Sequence, residues 1–308
     1  MSDRSALASL QQLLLFTWAV LVVIWIWWMW PHSPVAAVAV AFAAVTGHAW
    51  VLAVEFLLVP ALRGSDVTSR ASGSELIRAW IVEVVHAWRV FAWRQPFHWR
   101  SIPDALHGPR LKHRTGVVFV HGIVCNRGFW MPWLEQLNTD GRAFVAVNLE
   151  PVFTGIDDYV NLLEDAVLKV ERSTGRPPLL VCHSMGGLVA RAWLRRTDLA
   201  RVERVVTIGT PHNGTWYARF SRVCNGPEMD PNGPWMAQLN GAWTPQLAAR
   251  FTCWYSNCDN IVQPPLAATL PGADNRLVQG AAHIELAFRT EVMQGTLAML
   301  RDDASADS

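Results

Sequence analysis

Residues 179–196 read LLVCHSMGGLVARAWLRR. A short apolar run, Leu179-Leu180-Val181, follows the breakers Pro177 and Pro178. Leu188, Val189, Trp193 and Leu194 then recur at helical spacing, with Arg191, Arg195 and Arg196 expected outward. The pattern predicts a buried strand that turns directly into a helix, with Ser184 at the turn. A serine there must take a strained backbone conformation, and only small neighbours leave room for it. Gly186 and Gly187 supply that room. The turn lifts the hydroxyl clear of the sheet, and the N-terminus of the next helix points at the reacting centre. Both features suit a nucleophile whose transition state carries an oxyanion. The competing reading is a serine that merely begins a helix.

Cys182-His183-Ser184-Met185-Gly186 resembles the nucleophile elbow of α/β-hydrolases, whose pattern is G-x-S-x-G, with Cys182 in place of the first glycine. Two other segments carry the same resemblance. His121-Gly122-Ile123 stands where that family bends its chain to aim a backbone N–H at the site. Residues 208–215, IGTPHNGT, are similar to a G-T-P-H-x-G-T segment of many bacterial lipases and esterases. The resemblance covers residues 113–300. It implies an oxyanion hole made by the N–H groups of Ile123 and Met185, where losing one donor typically costs about 10²–10³ in rate. It also implies the chain order serine, acid, histidine. Asp259, in the loop after a late strand, is then the acid, and Asp274, at the entry to the next strand, ranks second. His283 follows Gly280-Ala281-Ala282 at the carboxyl end of the sheet, where ligands bind in such folds. His121 and His212 are expected to be structural, and Cys182 a buried, inert thiol.

These residues need a scaffold that brings strand ends together. Apolar strand patterns at 117–120, 144–147, 179–181, 205–208, 251–255 and 276–278 alternate with helical patterns at 130–137, 157–172, 185–196 and 285–300. Alternation of this kind predicts an α/β fold with a mostly parallel sheet and helices on both faces, over residues 113–302. Residues 216–249 form a long irregular insert. Trp216, Phe220, Trp235 and Met236 are its expected contacts to an apolar acyl chain, in a lid-like element; the alternative is a small cap that packs on the core.

The first third of the chain is different. The protein has 308 residues, of which 51% are hydrophobic and only 17% charged, with 17 Trp. No charged residue occurs in 10–30, about 20 residues being enough to cross a bilayer, and Trp25, Trp27, Trp28 and Trp30 crowd its end. After the break Pro31-His32-Ser33-Pro34, a second apolar run covers 35–59, interrupted only by His48 and Glu55. The expected arrangement is a transmembrane hairpin over 1–64; a cleaved signal peptide would have a shorter apolar core and more than Arg4 ahead of it. Glu55 is expected to reach the membrane interface and His48 to pack on the first helix. Residues 65–112 hold a linker and an amphipathic helix at 75–94, which suits either the membrane surface or the face of the enzyme. Residues 303–308 are a tail. The turn between the spans has no Lys or Arg, whereas Arg4, Arg63, Arg70 and Arg78 flank them, so the catalytic domain is expected on the cytoplasmic side of the inner membrane. Five cysteines fit a reducing compartment, with Cys253–Cys258 as the pair to consider in an oxidising one.

A net charge of +1 gives no reason to expect nucleic acid as a partner. No nucleotide-binding glycine pattern or strong metal-ligand cluster occurs, so no cofactor is expected, although some related lipases hold calcium. The expected function is a membrane-anchored serine ester hydrolase acting on apolar acyl esters. An acyltransferase or thioesterase with the same three residues, or a silent membrane scaffold, are the alternatives; no obligate protein partner is evident.

Overall fold

The computed structural model describes residues 5–108 and 111–301. Arg4, Pro109, Arg110 and the tail 303–308 lie outside the described residues. Six strands form one parallel sheet in the order β2-β1-β3-β4-β5-β6. They are β1 (Val117–Val120), β2 (Phe144–Ala146), β3 (Leu179–His183), β4 (Arg204–Ile208), β5 (Phe251–Ser256) and β6 (Asp274–Val278). β1 to β4 are apolar almost throughout and nearly wholly buried, as strands covered on both faces must be. Alternate side chains feed two cores. Val118, Val120, Leu180, Cys182 and Val205 pack against helices Val160–Thr174 and Met185–Leu194. Val117, Phe119, Leu179, Val181 and Val206 face the other way, onto Trp130, Trp133 and Leu137 of the segment after β1 and Val292, Leu297 and Leu300 of the last helix. Each buried aromatic removes about 150–250 Å² from water, so Trp130, Trp133 and Phe119 dominate that second core.

The order of strands reverses between β1 and β3, because β2 lies on one side of β1 and β3 on the other. The crevice beyond their carboxyl ends is where open α/β sheets bind ligands. The expected final helix at 285–300 is two helices, His283–Leu286 and Thr290–Arg301. The break between them leaves His283 at the first position of a short helix of its own.

Two long helices precede the sheet: α1 (Ala6–Met29) and α2 (Pro34–Leu62). Both are long and apolar enough to cross a membrane, and only 11% and 6% of their most apolar windows are buried. Ser5 caps α1 with its hydroxyl, and the carboxylate of Glu150, far along the chain, accepts from Ala6 N–H at 3.0 Å as well. Ser33 and Pro34 start α2 in the same manner. A capping box between Ser72 and Glu75 starts α3 (Gly73–Ala87), which continues as a π-helical stretch, Trp88–Arg94, rather than as the single α-helix expected. α3 packs on the hydrolase domain and α2 through the buried Ala79 and Glu83 and the partly buried Leu76 and Trp80. Arg78 pairs with Glu285 at 2.8 Å, and His86 stacks on Phe288. Ile77, Ile81 and Val85 point outward and are exposed. The helix is thus docked on the enzyme and leaves the row Ile77, Ile81 and Val85 exposed.

Candidate active site

Ser184 has φ 54° and ψ −129°, a conformation that side chains rarely adopt, between β3 and the helix Met185–Leu194. Close approaches hold it there. A Cβ on Gly186 would lie 2.3 Å from the Val120 carbonyl oxygen, and one on Gly187 2.2 Å from Thr210 Oγ1. Gly122 passes so near that a Cβ on it would sit 2.8 Å from Ser184 Cβ. Only glycine fits at these three places, so the helix can start immediately behind the serine. Cys182 is wholly buried in the core on β3, and burial pushes its thiol up, away from the thiolate.

The loop after β5 carries Asp259, which is buried. Its Oδ1 accepts from the N–H groups of Ile261 and Val262, both at 2.8 Å, which fix the carboxylate. His283 Nδ1 then donates to Asp259 Oδ2 at 2.9 Å. With Nδ1 as the donor, Nε2 is left with the free lone pair. Burial pushes the His283 imidazole down, but Asp259 by charge and hydrogen bond, with Glu83 and Glu55 behind it, outweighs burial and raises it above the usual histidine value. Ser184 and His283 line one cavity of about 450 Å³. Catalytic hydrogen bonds are often formed only with substrate bound, so the cavity they share is what relates the imidazole to the Ser184 hydroxyl. Asp274 is elsewhere: it starts β6, half exposed and paired with Arg276 at 2.7 Å.

His121 fixes the turn opposite. Its Nδ1 donates to the Gly122 carbonyl at 2.9 Å while Nε2 accepts from Leu149 N–H at 3.1 Å. Burial pushes it down to about 4, so it stays neutral. Ile123 and Ser184 line the same cavity, and Met185 begins the helix behind the serine. Among the described residues neither the Ile123 nor the Met185 N–H has an internal hydrogen-bond partner, as the first N–H groups of a helix lack one by construction. His212 is buried in the core, bonded to Thr207 Oγ1 at 2.9 Å.

The walls of the cavity differ from the expectation. Trp216, Phe220, Trp235 and Met236 do not line it. Met236 is wholly buried in the core, Trp235 packs beside that core, and Trp216 meets Tyr217 and Phe220 edge to face. The insert is fastened down by Arg191, which is buried rather than outward. Arg191 donates to the His212 carbonyl at 2.8 Å and to Asn240 Oδ1 at 2.8 Å. The opposite wall comes from the N-terminal helices: His48, Leu52 and Glu55 of α2, Glu83 and Ala87 of α3, and Phe91 of the π-helical stretch. Glu55 reaches the loop after β5. Its Oε2 accepts from Asn260 Nδ2 at 2.7 Å, and Asn260 Oδ1 accepts from His283 N–H at 3.2 Å. Glu83 is wholly buried and accepts from the Ile284 and Glu285 N–H groups at 2.8 and 3.0 Å. Two carboxylates from the first third of the chain thus hold the segment that carries His283. The interruption of an apolar run by His48 and Glu55 was the one signal of this in the sequence; nothing in the sequence singled out Glu83 or Asn260. Among the described residues no cluster of three or more His, Cys, Asp or Glu side chains is placed to hold a metal ion. Cys253 and Cys258 are both buried and free.

A parallel sheet with this strand order and a strained serine behind its third strand is the architecture of the α/β-hydrolase class. Residues 117–303 match the family model of the alpha/beta hydrolase family, and the chain belongs to that family. Among solved structures it is similar to the mature form of the Bacillus licheniformis lipase BlEst2, with 19% identity and a TM-score of 0.55, over 64% of this chain and 95% of that one. It is also similar to Aspergillus fumigatus lipase B, with 17% identity and a TM-score of 0.51, over 61% of this chain and 54% of that one. At these identities the likeness is one of fold. No curated protein matches the chain.

Proposed function

We propose that the protein is a membrane-anchored serine hydrolase of apolar carboxylic esters, with Ser184 as nucleophile, His283 as base and Asp259 as the acid that orients it. The observation that carries this is the buried Asp259–His283 pair facing the strained Ser184 across one largely apolar cavity. His283 Nε2 takes the Ser184 proton as Oγ attacks the ester carbonyl. The N–H groups of Ile123 and Met185 receive the oxyanion, and Asp259 holds the imidazolium. The alcohol leaves with the proton from His283, and water cleaves the acyl-enzyme by the same steps in reverse. The lipases of similar fold are in keeping with an apolar ester.

Anchoring through α1 and α2 is supported by their length and by their outward side chains. Leu13, Phe16, Leu21 and Trp27 of α1 and Phe42, Val51 and Leu57 of α2 are exposed, which a helix in the core of a soluble protein would not allow. α2 also supplies part of the cavity wall, a place that a removable leader does not fill. A hairpin returns the chain to its starting side, and the positive charges of Arg63, Arg70 and Arg78 after the second span argue for the cytoplasm as that side. The test of the activity is labelling of the full chain by a fluorophosphonate probe together with hydrolysis of p-nitrophenyl esters. Ser184→Ala should lose the label and, as for other triad serines, on the order of 10⁶ in turnover. Labelling that survives the substitution sinks the assignment.

A further inference from the structure

A second cavity, of about 350 Å³, opens between the two long helices and the π-helical stretch. Leu14, Leu15 and Trp18 of α1 form one side, Ala44 and Val45 of α2 another, and Trp88 and Ala92 close it toward the enzyme. His48, Ala87 and Phe91 line both this groove and the Ser184 cavity. The two spaces therefore adjoin along these three residues, and every other side chain lining the groove is apolar or aromatic. His48 is the polar member of the three, and its Nε2 has no hydrogen-bond partner among the described residues.

Depth along α1 places the groove in the bilayer. The tryptophan cluster Trp27, Trp28 and Trp30 marks the far interface. Trp18 is ten residues back from Trp28, or about 15 Å at 1.5 Å per residue. That is about half the ~30 Å hydrocarbon thickness. Leu14 lies about 6 Å nearer the enzyme. One turn below it, Gln11 and Gln12 leave the apolar stretch and bond to Gln95 Oε1 and the Pro96 carbonyl at 2.8 and 2.6 Å. The groove thus runs from the midplane through the near leaflet and ends at the serine cavity, the direction in which the chain of a bilayer lipid lies below its ester.

We infer that the groove is a lateral acyl-chain site: an ester resident in the near leaflet presents its carbonyl to Ser184 while its chain stays between α1, α2 and the π-helical stretch. The inference rests on the hydrolase reading above and adds the route and the class of substrate, a bilayer-resident long-chain ester instead of one delivered from water. The π-helical geometry has a reason here. Its wider turn displaces Phe91 and Ala92 from where a continuous α-helix would put them, as such segments often do at functional sites.

The test uses the full chain reconstituted in phosphatidylcholine vesicles. Ala44→Trp and Ala92→Trp fill the groove without touching Ser184, Asp259 or His283. The ratio of p-nitrophenyl palmitate to p-nitrophenyl acetate turnover should fall about tenfold or more, a loss of the size expected when several methylenes are excluded from an apolar site. Fluorophosphonate labelling of each variant verifies that its serine site is folded. In parallel, a phosphatidylcholine with a diazirine on its acyl chain is photolysed with the Ser184→Ala protein, where crosslinks at Leu15 or Phe91 are expected. An unchanged ester ratio in labelled variants, or crosslinks confined to outward residues such as Leu21 and Trp27, overturns the lateral site while the hydrolase reading stands. A parent protein that neither takes the fluorophosphonate nor turns over either ester overturns the hydrolase reading, and the lateral site with it.

Discussion

Glu83 allows the sharpest test of how the N-terminal helices hold the site. Burial pushes its carboxyl up from an ordinary 4.5 to about 7, against the pull of the Ile284 and Glu285 N–H groups and of His283. A group raised on folding contributes its stability fully below the unfolded value and loses it as pH climbs through the folded one. The parent should therefore lose about 2.5 kcal/mol from this residue alone between pH 5 and pH 8, at 1.36 kcal/mol per unit. Glu83→Gln keeps a carbonyl acceptor for one of the two N–H groups and removes the titration. Whatever its stability at pH 5, the variant should gain on the parent as pH rises. At roughly 2–4 °C per kcal/mol for a domain of this size, the difference in Tm should move in its favour by about 5–10 °C from pH 5 to pH 8. Thermal unfolding in detergent, followed by tryptophan fluorescence at both pH values, measures it. A Tm difference that is the same at both refutes a buried carboxylate held short of compensation. The kinetics offer a second reading. The Glu83 charge helps to raise His283, so the acidic limb of kcat/KM should shift to lower pH in the variant. An acidic limb that stays in place refutes the coupling.

Asp259→Asn should cost about 10⁴ in kcat, the loss seen when a triad histidine is left in the wrong tautomer, while Asp274→Asn, at an exposed pair with Arg276, should leave kcat close to the parent's; ester kinetics on both variants decide between them. Gly186→Ala forces a Cβ to within 2.3 Å of the Val120 carbonyl and should destabilise the fold by about 1–3 kcal/mol or more, read as a lowered Tm with loss of fluorophosphonate labelling. A C-terminal tag on the catalytic domain should survive protease added to intact spheroplasts and vanish after lysis. Digestion before lysis would reverse the cytoplasmic assignment.

The sheet was legible because its strands carry no ambiguity: runs such as Val117–Val120 and Leu179–His183 are apolar, short and flanked by breakers, and the structure has strands there. The strained turn at Ser184 was legible for a local reason as well, since only Gly186 and Gly187 let a helix start so close behind it. What could not be read were contacts between distant segments. Arg191 sits at a position that helical spacing marks as outward, and only the insert folding over it makes it buried. The insert in turn has aromatic residues suited to a ligand, yet Met236 and Trp235 meet the core first. On α3 both sides mix polar and apolar residues: Ala79 and Glu83 are buried while Ile77, Ile81 and Val85 are exposed, and Arg78, Glu83 and His86 find partners in Glu285, the start of the His283 helix and Phe288, so amphipathicity alone could not tell which side is inside.

The bond between Glu55 and Asn260 also sets a timetable. The two residues are 205 positions apart in the chain. At 5–20 residues per second, α2 leaves the ribosome roughly 10–40 s before its partner exists. For that interval a carboxylic acid in an apolar helix has no Asn260 to bond to, and the groove between α1 and α2 has no enzyme to close it. The helices therefore reach their final packing only after β5 and the loop behind it have been made. Assembly of the hairpin and completion of the catalytic site are then the last step of the same event, so a chain cut short before residue 260 should leave both unfinished.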